Sequence, residues 1–218
     1  MKGNIRRIGP GTSAKKNFYL IDANFLANYA LPHGPSNNRS ASEIARIKAC
    51  RNWWKHILEQ TKHRRARVYV PDICIAEAFK VLAKKYYNEG WWANAAGFNA
   101  SKRRLSALVS TTNKQLQATH RQIHVHDVPA TRDIVVSVGR FHEAFLKARP
   151  RINVQIADLI LVSTAKYLMD FFDIPKDRLH LVTCDRTLLT AINKCVPELP
   201  SGYDPCQPRH SALRVFAQ

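Results

Sequence analysis

Asn17-Phe18-Tyr19-Leu20-Ile21-Asp22-Ala23-Asn24-Phe25-Leu26 is the stretch on which the fold turns. Residues 18–21 read as a strand of high β propensity, and a lone acid follows them directly. Behind the acid come a small residue, an amide and more apolar residues. A carboxylate in such surroundings is costly to bury without a partner, so Asp22 is either the cap of a following helix or half of a site. That helix is predicted over 24–30, stopped by Pro32 and the loop His33-Gly34-Pro35-Ser36-Asn37-Asn38.

Outward from this stretch, strands and helices alternate. Ser40-Ala41-Ser42-Glu43 has capping-box spacing, and Ile44, Ile47, Trp54, Ile57 and Leu58 recur at helical spacing. Together they predict an amphipathic helix over 41–62. Val68-Tyr69-Val70 is a second strand, and Pro71-Asp72 starts a helix through Tyr87 with Asp72 as its N-cap. His124-Val125-His126-Asp127-Val128 is a third strand, and a helix over 131–148 follows. Another helix opens near Asn153, with Ile156, Leu159, Ile160, Leu168 and Phe171 on its apolar side. His180-Leu181-Val182-Thr183 is the fourth strand, ahead of a short helix over 186–194. Strands separated by helices of ten or more residues call for parallel crossovers, hence an α/β fold with a three-layer α/β/α build around a parallel sheet.

The predicted domain runs over 17–196. Residues 1–16, with two basic doublets and three glycines, read as a flexible basic arm. Residues 89–122 read as a basic helical insert with a helix around 102–121, and 197–218 as an irregular Pro-rich tail with at most a late strand near 213–216.

The 218 residues suffice for one large domain with a sizeable core. Against 16 acids stand 34 Lys and Arg, a formal charge of +18, so the expected partners are polyanions, nucleic acid before anionic membrane. Candidate phosphate contacts are Arg64, Arg65 and Arg67, Arg186 beside the last strand, and Lys102, Arg103, Arg104 and Arg121 of the insert. Near the insert cations, Trp91, Trp92 and Phe98 would either stack on single-stranded bases or anchor a core. Cys50, Cys74, Cys184, Cys195 and Cys206 form no CxxC pair, which reads as reduced thiols rather than a disulfide framework or a zinc site. His124 and His126 share a strand face, too weak a pattern for a metal site. No apolar run reaches the ~18 residues of a membrane span, and no secretion signal opens the chain, so a cytoplasmic protein without a membrane partner is expected.

Four acids stand apart from the rest. Asp22 and Asp185 each follow a strand closely, Glu77 lies mid-helix between Ile75-Ala76 and Ala78-Phe79, and Asp158 lies in an apolar run. Capping or a favourable helix dipole would account for Asp22, Asp158 and Asp185 singly, and Glu77 has the weakest such excuse. In a parallel sheet all four can converge on the C-terminal edge. Two carboxylates ~4 Å apart repel by ~1 kcal/mol in water and ~4 kcal/mol at an effective dielectric near ~20. A cluster therefore needs protons or a hard divalent cation, Mg²⁺ or Mn²⁺.

The pieces YLIDANFL (Asp22), VPDICIAEAFKVL (Glu77), IADLILVSTA (Asp158) and LVTCDRTLL (Asp185), in this order, resemble the PIN-domain family of nucleases over about residues 17–88 and 123–195. The resemblance implies a parallel sheet ordered 3-2-1-4-5 and a Mg²⁺- or Mn²⁺-dependent phosphodiesterase, usually a ribonuclease. It implies that Asp22, Asp158 and Asp185 bind the principal ion and that Asp22 and Glu77 hold a second ion or the attacking water. Thr183 would support the last acid, and Asn24 would assist Asp22. Within the family the chain resembles VapC-type toxins, with RNA as substrate and an antitoxin protein and a homodimer as expected partners. An RNA-processing or decay nuclease without an antitoxin is the alternative inside the enzyme class. The rival outside it is an inactive PIN-like scaffold that binds nucleic acid. The basic insert and the tail beyond Pro197 depart from the compact family members.

Overall fold

β1 (Asn17–Ile21) lies at the centre of the molecule, with Phe18, Tyr19, Leu20 and Ile21 fully buried, as befits a strand covered on both faces. This computed structural model describes residues 16–34, 38–109, 125–149 and 152–210. β1 pairs in parallel with β2 (Ala66–Pro71) on one side and with β4 (Leu179–Val182) on the other. β3 (Val125–Val128) extends the sheet beyond β2 and β5 (Gly202–Tyr203) beyond β4. The five-stranded, all-parallel sheet thus has the order 3-2-1-4-5.

Seven α-helices flank it among the described residues: α1 (Ala23–Ala30), α2 (Ala41–Lys62), α3 (Asp72–Tyr87), α4 (Ala95–Val109), α5 (Arg132–Ala148), α6 (Ile156–Phe172) and α7 (Arg186–Cys195). α1 packs on α2, α3 and α4, whereas α5 packs on α6 and α7, giving an α/β/α arrangement. No helix among the described residues is long and apolar enough to cross a membrane.

α2 begins where the capping box places it. Ser40 Oγ accepts from the Glu43 amide at 3.2 Å, and Glu43 Oε2 accepts from the Ser40 amide at 2.9 Å. Ser40→Ala should therefore lower stability by about 1 kcal/mol, a fall of roughly 2–4 °C in Tm by thermal unfolding. The buried face of α2 carries Ile47, Cys50, Trp53, Trp54 and Ile57. Trp54 stacks on Phe25 of α1 with ring centroids 5.1 Å apart. Trp53 donates its indole N–H to the His210 carbonyl at 3.0 Å and packs against Tyr203, tying the last described residues onto α2.

Several elements differ from the sequence expectation. Asp72 is not the cap of α3: Pro71, the last residue of β2, holds that position with extended dihedrals, and Asp72 starts the helix. The helix predicted around 102–121 begins earlier, as α4, and its continuation beyond Val109 lies outside the described residues. On α6 the burial is carried by Leu159, Leu161, Val162, Ala165 and Leu168, while Ile156 and Phe171 are 62% and 60% exposed. Both lie at the ends of the helix, past the neighbours that would cover them. The 197–218 segment is not wholly irregular, since β5 supplies the sheet edge. A Cβ at Gly202 would lie 2.8 Å from Leu189 Cδ1 of α7 and push that side chain aside, and Asn193 grips both backbone groups of Gly202. The strand considered near 213–216 and all of the 1–16 basic arm but Lys16 fall outside the described residues, as does His124 of the histidine pair.

Candidate active site

The chain reverses its direction of strand addition between β1 and β4, and such a switch point opens a crevice at the C-terminal ends of the two strands. Ile21 is level with Val182, so the next residue of each strand, Asp22 and Thr183, projects from that edge side by side. The Asp22 amide donates to the Val182 carbonyl at 3.1 Å. The Thr183 hydroxyl donates to Asp22 Oδ2 at 3.0 Å. That same Thr183 oxygen accepts from the Asp185 amide at 2.9 Å, so one buried hydroxyl fixes two of the candidate acids.

Asp22 occupies the N-cap position of α1 but makes no side-chain capping bond, and it is 4% exposed. Its carboxyl is pushed up to about 7, by burial first and then by Asp158, against the pull of Thr183 and the Ala23 and Asn24 amides. Asp158 stands in the first turn of α6, where it accepts from the Gln155 amide at 3.1 Å. Burial pushes its carboxyl up to about 6; the Gln155 bond opposes this, while Asp185 and Glu77 add to it. Glu77 reaches the group from the second turn of α3. One turn earlier, the buried Cys74 thiol is pushed up by its burial and then by Asp22, Glu77 and Asp158. Four acids from four separate segments thus share one electrostatic neighbourhood.

Asp185 does the work of a cap. Its Oδ1 accepts from the Thr187 amide at 2.6 Å and the Leu188 amide at 2.9 Å, starting α7. The two bonds share one oxygen, which leaves the other available to a ligand. Asn24 is exposed, and its side chain makes no hydrogen bond to Asp22 among the described residues. Among those residues, none of the four acids forms a salt bridge, in a chain with a formal charge of +18. No three of their carboxylates come within 4.8 Å of one another there.

The candidate basic residues scatter. Arg186 follows Asp185 directly and is exposed at the same edge. Arg64 and Arg65 lie at the opposite edge, where the Arg65 carbonyl accepts from the Asn17 amide at the start of β1. Arg67 is half-buried near the start of β2. Lys102, Arg103 and Arg104 are exposed along α4, and Arg121 lies outside the described residues. Of the insert aromatics, Trp91 is 1% exposed under the Lys85 ammonium, and Phe98 is buried against Tyr86, ring centroids 4.3 Å apart. Trp92 is half-buried with its indole N–H on Ser101 Oγ. These rings are core anchors rather than a free stacking surface.

Cys74 escaped the sequence reading because its only mark is the spacing Cys74–Glu77, one helical turn. Cys184 and the Asp204–Cys206 turn, which meet near Asp185, escaped it because they lie on two segments distant in sequence. No protein-family model matches the chain, and no curated protein matches it.

Proposed function

We propose that the protein is a divalent-metal-dependent nuclease, cleaving RNA by phosphodiester hydrolysis in the manner of PIN domains. The observation that carries this reading is the group Asp22, Glu77, Asp158 and Asp185 at the switch point, with Asp22 and Asp158 raised in pKa and none of the four in a salt bridge among the described residues. An all-oxygen donor set, in which burial and mutual repulsion raise Asp22 to about 7 and Asp158 to about 6, fits Mg²⁺ or Mn²⁺. Asp22, Asp158 and Asp185 would hold the principal ion, and Glu77 with Asp22 a second ion or the attacking water. A bound ion of this kind supplies water of lowered pKa and offsets charge developing on the phosphate.

The chain's own residues prepare the rest. Thr183 fixes the Asp22 carboxylate through its hydroxyl and the Asp185 backbone through its oxygen. The first turn of α7 fixes the Asp185 side chain. Arg186 sets a cation beside the acids, so that a phosphate backbone is drawn toward a group that would repel it. A toxin with a partner antitoxin, working as a homodimer, and a solitary RNA-processing enzyme are both places for such chemistry.

The test is incubation of the purified protein with labelled single-stranded RNA, duplex RNA and single-stranded DNA, each with Mn²⁺, Mg²⁺ or EDTA. Cleavage of RNA with either ion, none in EDTA, and products ending in 5′-phosphate and 3′-hydroxyl are expected. Cyclic-phosphate ends, or cutting undiminished by EDTA, would sink the proposal. A second reading draws on the Asp185 capping bonds and on the carboxylates staying more than 4.8 Å apart as threes. It is an inactive scaffold, and RNA retained uncut under every metal condition would favour it.

A further inference from the structure

Three of the five cysteines meet at a second place on the same edge of the sheet. Cys50 comes from the buried face of α2, Cys184 from the turn between β4 and α7, and Cys206 from the segment after β5. The Cys50 and Cys184 sulfurs are 3.4 Å apart. The Cys184 and Cys206 sulfurs and a carboxylate oxygen of Asp204 all lie within 4.8 Å of one another. All three cysteines are free thiols.

Asp204 makes this more than a meeting of thiols. It is 1% exposed and pairs with no Lys or Arg among the described residues. Its carboxylate is oriented from within its own turn, Oδ1 accepting from the Cys206 amide at 2.9 Å and Oδ2 from Gln207 Nε2 at 3.4 Å. The His210 ring nitrogen Nδ1 meets the Asp204 amide at 3.1 Å and braces the turn. A buried carboxylate held in no salt bridge is costly, and the two thiols facing it carry no positive charge. A pocket of about 420 Å³, lined by Cys184, Cys206 and Asp204 with Ser42, Arg46 and Arg186, gives the cluster an opening.

The geometry points to a thiolate-rich site for a borderline-soft divalent cation, Zn²⁺ above all, held by Cys184, Cys206 and Asp204, with Cys50, which meets Cys184 but lies outside that close trio, moving in as the fourth ligand. Zinc–sulfur bonds of ~2.3 Å at tetrahedral angles set sulfurs about 3.8 Å apart, close to the separation already present between Cys50 and Cys184. The oxygen-only group at Asp22 and this sulfur-rich group would select different metals by softness. The site ties α2, the β4–α7 turn and the segment after β5 into one knot. Because Cys184 immediately precedes Asp185, the knot braces that acid without touching a substrate. The inference stands whether or not the protein cuts RNA.

The test titrates Co²⁺ into the reduced, metal-stripped full-length protein and follows thiolate-to-cobalt charge-transfer absorption. The band should saturate at one equivalent and be bleached by Zn²⁺. Cys206→Ser, at an exposed position, and Asp204→Asn should weaken Zn²⁺ binding at least ~100-fold, the upper end of the loss from disturbing a mere outer-shell partner. Asp22→Asn should leave the band intact, which separates this site from the acid group. Absence of the band, or a band that survives Cys206→Ser in a variant with wild-type circular dichroism, overturns the inference. So does a Cys50–Cys184 disulfide recovered in place of metal from protein purified without reductant.

Discussion

Asp22→Asn is expected to lower metal-dependent cleavage by ~10³-fold, the equivalent of losing several kcal/mol of charge stabilisation, while making the metal-free protein more stable. The second half of this result follows from the pKa. In the folded chain the Asp22 carboxyl sits at about 7, and its ordinary value is 3.8. Below pH ~4 both folded and unfolded chains hold the proton, so the group leaves stability unchanged there. Between pH ~4 and ~7 the unfolded chain releases the proton and the folded chain does not, so stability falls by about 1.4 kcal/mol per pH unit. Above pH ~7 the loss is complete. Asparagine removes it, and its amide oxygen still accepts from Thr183. Urea unfolding in EDTA should therefore find the variant about 4 kcal/mol more stable than wild type at pH 8 and equal to it at pH 4. A variant that is less stable at pH 8 would mean that the carboxylate serves the fold, as a cap would.

The second large effect is expected at Thr183, whose hydroxyl joins Asp22 to the Asp185 backbone. Thr183→Val keeps the volume and removes both bonds. The Asp185 amide is left without its partner and the Asp22 carboxylate without its donor, at a cost of about 2–4 kcal/mol. Because the lost bond had lowered the Asp22 pKa, that pKa rises further, and the acid limb of any pH–rate profile moves to higher pH. Activity should fall by ~10- to 100-fold, as when a ligand's supporting partner is removed. Thr183→Ser restores both bonds and leaves only a methyl-sized void, so it should recover most activity while staying about 1 kcal/mol short in stability. Equal activity for the serine and valine variants would show that this hydroxyl serves packing alone.

Local chemistry made much of this fold readable, and long-range contacts account for what it hid. The Ser40–Glu43 box and the apolar spacing behind it located both ends of α2, since caps and periodicity act within a few residues. Asp22, Glu77, Asp158 and Asp185 stood out because each interrupts an apolar run. β5 could not stand out: it is two residues between prolines, made a strand by pairing with β4 and by the grip of Asn193 of α7 on Gly202. The tryptophans of 91–92 carry no local mark that separates a core anchor from a stacking surface. Arg64 and Arg65 look like phosphate ligands in sequence, yet entering a parallel strand puts them at the edge away from the acids. The cysteine cluster was hidden most completely, because the sheet order rather than spacing along the chain brings Cys50, Cys184 and the Asp204–Cys206 turn together.

The bond between Thr183 and Asp22 spans 161 residues of sequence, and β4, the strand that delivers it, pairs directly with β1. During synthesis, β1 must wait for β4 before the switch-point crevice has its second wall. At ~5–20 residues per second, that wait is on the order of ten seconds or more. Non-local pairing of this kind is also the slow part of folding. Throughout that interval Asp22 has neither Thr183 nor Asp185 beside it, so the acid group stays incomplete until the chain has been made past Asp185. The order of the strands is thus also a timer.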